Sequence, residues 1–427
     1  MQEFTSMHLW MLLVFIIGYL VIIFEYKLKI NKTAAAILMA TFSWSILFLS
    51  SKDKMEGSTG FLAEHVSNVS QIIFFLLAAM TLVELIDSHK GFKIITDAIN
   101  TRSKKKMLWL IGLIAFFLSA VLDNLTTTIL MISLLRKLIK SMQDRFLLGS
   151  MVVVAANAGG AWTPIGDVTT TMLWIGGQIT TIPIIKSLFF PSLFSLFVSL
   201  FFLGFNMKGN YPDLIKDQSK EKTEPGAKIV FSLGVLALIC VPLFKSWIGL
   251  PPFMGMLIGL GILWLVTDIL HHPHEDRHHL RVPHVLTKID TSGVLFFLGI
   301  LLSINALETV GLLKSLAIFL GNHIENLAVI ATSIGLISAI VDNVPLVAAT
   351  MGMYDLSAFP TDSYLWQMIA YCAGTGGSIL IIGSAAGVAF MGMEKVDFVW
   401  YLKKISLKAL SGYLAGMALY LLIHSVL

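Results

Sequence analysis

The chain is a succession of long apolar runs separated by short segments that carry most of its charge. The runs lie near 8–24, 33–50, 71–88, 107–135, 146–178, 184–205, 229–248, 252–270, 291–307, 327–353, 366–392 and 409–426. A helix rises about 1.5 Å per residue, so about 20 apolar residues cross a hydrocarbon core of about 30 Å. Most of the runs meet that length, and the pattern predicts an all-α polytopic membrane protein. The run at 8–24 is too long and too weakly flanked by charge for a cleaved signal peptide, so it is expected to stay as the first span. A shorter stretch, 311–323, has the pattern of an interfacial helix.

Loop charge orients these runs, because Lys and Arg gather on the cytoplasmic side. Lys27, Lys29 and Lys32 follow the first run and place the N-terminus outside. The loop with Lys90, Lys93, Arg102, Lys104, Lys105 and Lys106 is then inside, as is the segment with Lys208, Lys216, Lys220, Lys222 and Lys228. The run 107–135 is the exception, since it starts after one basic cluster and ends at another, Arg136, Lys137, Lys140 and Arg145. One crossing would put the second cluster outside. Two arms of about 14 residues, each about 20 Å long, satisfy the charge rule, so a re-entrant hairpin is expected. The run 327–353 leads to a loop with Asp355 and Asp362 and no basic residue, which predicts a second hairpin entering from the opposite face. The expected plan is ten spans and two hairpins in two inverted repeats, with a broken helix at 146–178 and another at 366–392. Such repeats commonly hold a transporter's site near the midplane.

Composition narrows the class. The chain is 56% hydrophobic and only 13% charged, with a mean hydropathy of +0.82, against about 25% charged residues in a soluble domain. The net charge of +4 comes from loop lysines and implies no nucleic-acid partner. Cys240 and Cys372 sit in apolar runs and offer no disulfide frame. No phosphate-cradling glycine loop is present, so neither ATP nor any other cofactor is expected.

Two echoes locate the chemistry. Ser119-Ala120-Val121-Leu122-Asp123-Asn124 and Ser338-Ala339-Ile340-Val341-Asp342-Asn343 share Ser-Ala-x-x-Asp-Asn at a spacing of 219 residues, each inside a predicted hairpin. A carboxylate at bilayer depth costs about 2.5 kcal/mol or more, which makes it a functional candidate by default. The second echo is Gly159-Gly160 with Gly166 against Gly376-Gly377 with Gly383, at a spacing of 217. Pro164 removes the helical partner of the Gly160 carbonyl. Freed carbonyls with Asn157, Thr163, Asp167, Thr169 and Thr170 would form an oxygen-rich cage, the ligand type hard cations prefer. The plainer alternatives are a packed proline kink and aspartates that only cap the return helices. Asp123 or Asn124, and Asn343 before Pro345, suit such caps.

The chemistry follows from sign. No Lys or Arg falls inside the predicted midplane elements; Lys186, Lys245 and Lys314 stand at run ends. Asp123, Asp167 and Asp342 would favour a metal cation such as Na⁺ and repel anions. Desolvation and mutual repulsion favour the protonated carboxyl, so a small cation and H⁺ are expected to compete for the same oxygens.

These residues carry a resemblance. Leu122-Asp123-Asn124-Leu125-Thr126-Thr127, the run from Asn157 to Thr170, and Asp342-Asn343-Val344-Pro345 resemble the NhaD-type sodium/proton antiporters of the ion transporter superfamily. The resemblance extends from about residue 71 to the end. It implies exchange of Na⁺ or Li⁺ for H⁺ by an elevator-like homodimer in a bacterial inner membrane. It implies scaffold spans at 1–70 and 229–290, repeat cores at 71–206 and 291–427, and a cytoplasmic linker at 207–228. It adds Glu84, Ser378 and Ser384 to the candidate site. The second tip has Val344-Pro345 where the first has Leu125-Thr126, so unequal roles are expected. Dicarboxylate carriers of the same superfamily share the plan with Ser-Asn-Thr at the tips. An anion or oxyanion permease for arsenite or dicarboxylates is therefore the alternative, and an intramembrane aspartyl enzyme is a more distant one. The six histidines His271, His272, His274, His278, His279 and His284 form either a solvated loop or a metal- or pH-responsive one.

Overall fold

The computed structural model describes residues 6–50, 55–93, 101–205, 207–211, 223–272, 274–324 and 326–426. Lys216, Lys220 and Lys222 of the expected linker lie outside the described residues. Three long helices open the first half: α1 (Ser6–Ile23), α2 (Lys32–Ser50) and α3 (Met55–Ser88). A helix pair follows, α4 (Lys104–Leu122) and α5 (Asn124–Leu138), then a broken pair, α6 (Met142–Gly160) and α7 (Val168–Ile175), and a long helix α8 (Thr181–Gly204). The second half repeats that order. It has α9 (Ala227–Ile248), α10 (Pro252–His271) and α11 (Thr291–Thr309), a short α12 (Leu312–His323), the pair α13 (Leu327–Ser338) and α14 (Asn343–Met353), the broken pair α15 (Tyr364–Gly376) and α16 (Ala385–Glu394), and α17 (Leu407–Val426).

Among the described residues nine helices are long and apolar enough to cross a membrane. On α1 only Met11 is buried, and Leu9, Leu13, Ile16, Ile17 and Leu20 are exposed. So much apolar surface suits contact with lipid rather than water, and the chain is a multi-pass membrane protein.

The first pair differs from expectation in length. Its arms have 19 and 15 residues because α4 starts at Lys104, capped by Ser103, and α5 runs past Arg136 to Leu138. The first arm alone meets the length of a span. Both arms nevertheless end at the start of α6. Lys104 at the head of α4 pairs with Asp144 of α6 at 2.9 Å. Arg136 near the foot of α5 and Arg145 of α6 share Glu394, at 2.7 and 3.0 Å. The outer ends of both arms are thus tied to neighbours of one another, with Asp123 at the turn between the arms.

Equivalent residues make equivalent contacts in the two halves. The Ser119 hydroxyl donates to the Ala156 carbonyl (2.7 Å) and the Ser338 hydroxyl to the Ala373 carbonyl (3.1 Å). A Cβ on Gly159 would lie 2.1 Å from the Phe116 carbonyl oxygen, and one on Gly376 would lie 2.2 Å from that of Gly335. Only glycine lets the backbones of α6 and α15 press this closely on the preceding hairpin. We expect Gly159→Ala and Gly376→Ala each to lower stability by about 1–3 kcal/mol, the usual cost of overpacking. Thermal unfolding in detergent checks this, and an unchanged midpoint in either variant would count against the close approach.

The ends of the broken helices are pinned across the halves. Glu394 at the foot of α16, 4% exposed, is held by Arg136 and Arg145 of the first half. At the foot of α7, Asp362 of the second half accepts from the Thr180 N–H at 2.6 Å, and the Thr361 hydroxyl donates to the Gly177 carbonyl at 2.7 Å.

Candidate ion-binding site

The two tips turn differently. Asp123 is the one residue between α4 and α5, at φ 100° and ψ 162°. Side chains other than glycine hardly populate this region, and occupying it costs about 1–3 kcal/mol. Its carboxylate accepts from the Thr126 N–H and the Thr126 hydroxyl, both at 2.8 Å, which caps α5 and offsets part of that cost. Asp342, at φ −47° and ψ 135°, turns without strain. It accepts from the Val344 N–H at 3.4 Å, so the cap of α14 is Asp342 and not Asn343. Asn343 starts the helix, and Pro345 falls in its first turn, where a missing N–H costs nothing.

Asp167 caps α7 in the gap left by Pro164. It is buried, 1% exposed. One carboxylate oxygen accepts from the Thr169 N–H and hydroxyl, both at 2.9 Å. The other receives the side-chain amides of both tips, Asn124 at 2.7 Å and Asn343 at 3.2 Å. Asn124 also donates to Asn157 Oδ1 at 2.9 Å, and Asn157 donates to Ser384 Oγ at 2.9 Å. Ser384 in turn caps α16 through the Gly387 N–H. The heads of α5, α7, α14 and α16 are thus tied into one buried network. Helix N-termini carry partial positive charge, and they stabilise the carboxylate without a full counter-charge. No ion pair reaches Asp167 among the described residues.

Sequence-predicted residues therefore divide. Asn124, Asn157, Asp167, Thr169, Asn343 and Ser384 meet. Thr163 spends its hydroxyl on the Ala120 carbonyl (2.7 Å), and Thr170 on the carbonyls of Asp167 (2.9 Å) and Gly160 (3.4 Å). The carbonyl that Pro164 frees is thus taken up by Thr170. Ser378 donates to the Thr375 carbonyl at 2.7 Å, away from Asp167. Asp123, Asp167 and Asp342 each cap a different helix and do not fuse into a three-carboxylate cluster. No group of three or more His, Cys, Asp or Glu side chains set to hold a metal is found among the described residues. The histidine segment makes a different contact, His89 Nε2 to His271 Nε2 at 2.9 Å.

One expectation is overturned. The Lys32 ammonium stands 3.8 Å from the Asp342 carboxylate, so one tip carboxylate does have a cationic partner. The basic residues before it place Lys32 in a loop on sequence grounds. It is instead the first residue of α2, and its long side chain reaches the tip while lying over the Phe296 ring of α11. The residues that sequence reasoning missed are this lysine and Tyr19 of α1, whose buried hydroxyl has no hydrogen-bond partner and lies within electrostatic reach of Asp342. Neither sits in a repeated motif. A Lys at the boundary of an apolar run was the one available signal.

A cavity of about 420 Å³ adjoins the first tip, lined by Lys32, Glu84, Asp87, Thr126, Lys288 and Asp290 among others. Glu84 faces it from α3; the Ser88 hydroxyl donates to it at 3.3 Å, and the Lys288 ammonium stands 3.9 Å away as an ion pair. Glu84 lines this cavity, apart from the hydrogen bonds that hold Asp167.

Comparison with known proteins places the chain among membrane transporters. The sequence profile of the family described as "Citrate transporter" matches residues 10–374. Sodium/proton antiporters 1 and 2 of Arabidopsis thaliana are each 54% identical over 97% of this chain, covering 72% and 99% of their own lengths. The Na(+)/H(+) antiporter NhaD of Vibrio cholerae is 28% identical over 97% of this chain and 91% of its own. Broken helices whose heads meet at a buried carboxylate, in a chain with these relatives, define a membrane transporter and not an enzyme. The chain belongs to the ion transporter superfamily, in the NhaD-type antiporter family.

Proposed function

We propose that the protein is a secondary antiporter exchanging Na⁺, or Li⁺, for H⁺, with Asp167 at the centre of the exchange. The observation that carries this is a buried carboxylate with neutral amide donors from both halves and no Lys or Arg upon it. A carboxylate accepts through about four sites, and here four donor groups fill them. A dehydrated cation entering this shell would displace the amides of Asn124 and Asn343. Rotation of those amides would then present Oδ1 in place of Nδ2, and oxygen is what a hard cation needs. A proton on Asp167 would neutralise the same group and exclude the cation, so the two loads alternate. Asp123 and Asp342, one at each tip, would draw cations to the mouth of this shell.

The finer organisation is part of the same proposal. The closely matching spacings of 219 and 217 residues and the paired contacts of the two halves support inverted repeats with re-entrant tips. The cores 71–206 and 291–427 would move against scaffold segments 1–70 and 229–290 in an elevator-like homodimer. The cavity beside Thr126 and Glu84 would open to the cytoplasm, given the basic loops around it. The membrane proposed is the bacterial inner membrane.

The profile named for citrate favours a second reading, a dicarboxylate or oxyanion permease. The acidic tips oppose it, because an anion would meet Asp123, Asp167 and Asp342. Purified protein in vesicles with an acidic lumen separates the two. External Na⁺ or Li⁺ should dissipate the proton gradient at once, while citrate, succinate and arsenite should not. Dissipation by an anion and none by Na⁺ would overturn the antiporter reading.

A further inference from the structure

We propose that Lys32 is a tethered competitor of the transported cation, pairing with Asp342 when the site is unloaded and giving way when Na⁺ arrives. The inference rests on the antiporter reading and adds a residue to it. Lys32 heads α2, in the segment proposed as scaffold, whereas Asp342 forms the tip between α13 and α14 of the second core. The pair therefore joins two bodies that must separate during transport.

Its geometry suits release. At 3.8 Å the ammonium attracts the carboxylate without a direct hydrogen bond, whose N–H···O distance would be about 2.7–3.2 Å. The pairs that fix Glu394, by contrast, are 2.7 and 3.0 Å long. The side chains of Lys32 and Asp342 are 25% and 15% exposed, so water and ions reach both. Lys32 also lines the cavity through which an ion would approach. The other charges facing that cavity are Glu84 and Asp87 on α3 and Lys288 and Asp290 before α11. The Phe296 ring lies under the ammonium, 4.4 Å from centroid to Nζ, and offers it a second resting place through cation–π attraction. Tyr19, with its unpartnered buried hydroxyl, completes the surroundings of Asp342. A monovalent cation and a monovalent ammonium have the same charge, so occupation of Asp342 by one excludes the other electrostatically.

The test compares Lys32→Met, Lys32→Arg, Asp342→Asn and the double variant Lys32→Met/Asp342→Asn. Each is purified, shown to be monodisperse, and assayed in vesicles for Na⁺-driven proton efflux. Removing a competitor should lower the Na⁺ KM of Lys32→Met by at least about fivefold, within the usual span of coupling between sites. Lys32→Arg should keep a near wild-type KM, and the effect of Lys32→Met should vanish in the Asp342→Asn background. A lysine that merely braces the fold would change protein yield or maximal rate but leave KM untouched, and that outcome overturns the proposal. So does an equal shift in both backgrounds. If wild-type protein shows no Na⁺-driven efflux, the antiporter reading fails first. Na⁺-induced thermal stabilisation, compared between wild type and Lys32→Met, then still decides whether Lys32 opposes cation binding: a lower half-saturating Na⁺ in the variant supports it, and an equal or higher one overturns it.

Discussion

Asp167→Asn is expected to abolish Na⁺-driven proton exchange while leaving insertion and folding intact. Asn has nearly the shape of Asp and keeps one oxygen for the Thr169 donors. The change removes the one full charge in a network of amides and hydroxyls. A unit charge opposite a monovalent ion at about 4 Å is worth about 4 kcal/mol at an effective dielectric of about 20. That is a factor of about 10³ in affinity, and the variant also cannot carry a proton. Fluorescence dequenching in vesicles should show no response to Na⁺ at concentrations that saturate the wild type. Wild-type rates would remove Asp167 from the centre of the mechanism. Asp342→Asn is a weaker lesion by the same logic, because Lys32 already compensates Asp342 in the unloaded state.

The second large effect concerns stability. Glu394→Ala is expected to cost about 3 kcal/mol, measured as thermal unfolding in detergent. Breaking a buried pair costs about 3–5 kcal/mol because the remaining charges keep their desolvation penalty. Here the figure belongs at the low end, since the Arg136 side chain is 47% exposed and can rehydrate. Arg145 is less free, being 20% exposed and already donating to the Ile139 carbonyl. Asp144→Ala serves as the control. It breaks one Lys104 pair, at 26% and 15% exposure, and pairs that water reaches are worth about 1 kcal/mol or less. Equal destabilisation by the two substitutions would refute the distinction.

What could be read from the sequence is what repeats or what is apolar. The spans were visible because crossing a bilayer demands length and hydrophobicity. The breaks were visible because Pro164 removes a helical hydrogen bond and the paired glycines tolerate the dihedrals a break demands. Asn124, Asn157 and Asp167 were marked by the two echoes, whereas Ser384 entered only through the family resemblance. Three things were hidden. Arm lengths were missed because basic residues can extend a helix into the interface, as Lys104 does for α4. Thr163, Thr170 and Ser378 looked like ligands, yet short hydroxyl side chains readily satisfy nearby carbonyls instead. The contact between Lys32 and Asp342 spans most of the chain, and no motif or period announces a long, flexible ammonium reaching across.

The pinning of each broken helix by the opposite half bears on the order of synthesis. Arg145 is translated long before Glu394, and at about 5–20 residues per second the delay is on the order of tens of seconds. Throughout that interval the early arginines lack their carboxylate, and Asn157 lacks the Ser384 hydroxyl to which it donates in the finished fold. The nascent first half must therefore wait in the bilayer as an unlocked assembly. Its locking waits for Ser384 and Glu394, made 227 and 249 residues after the Asn157 and Arg145 they hold, so the molecule can become watertight only once that later stretch has joined it.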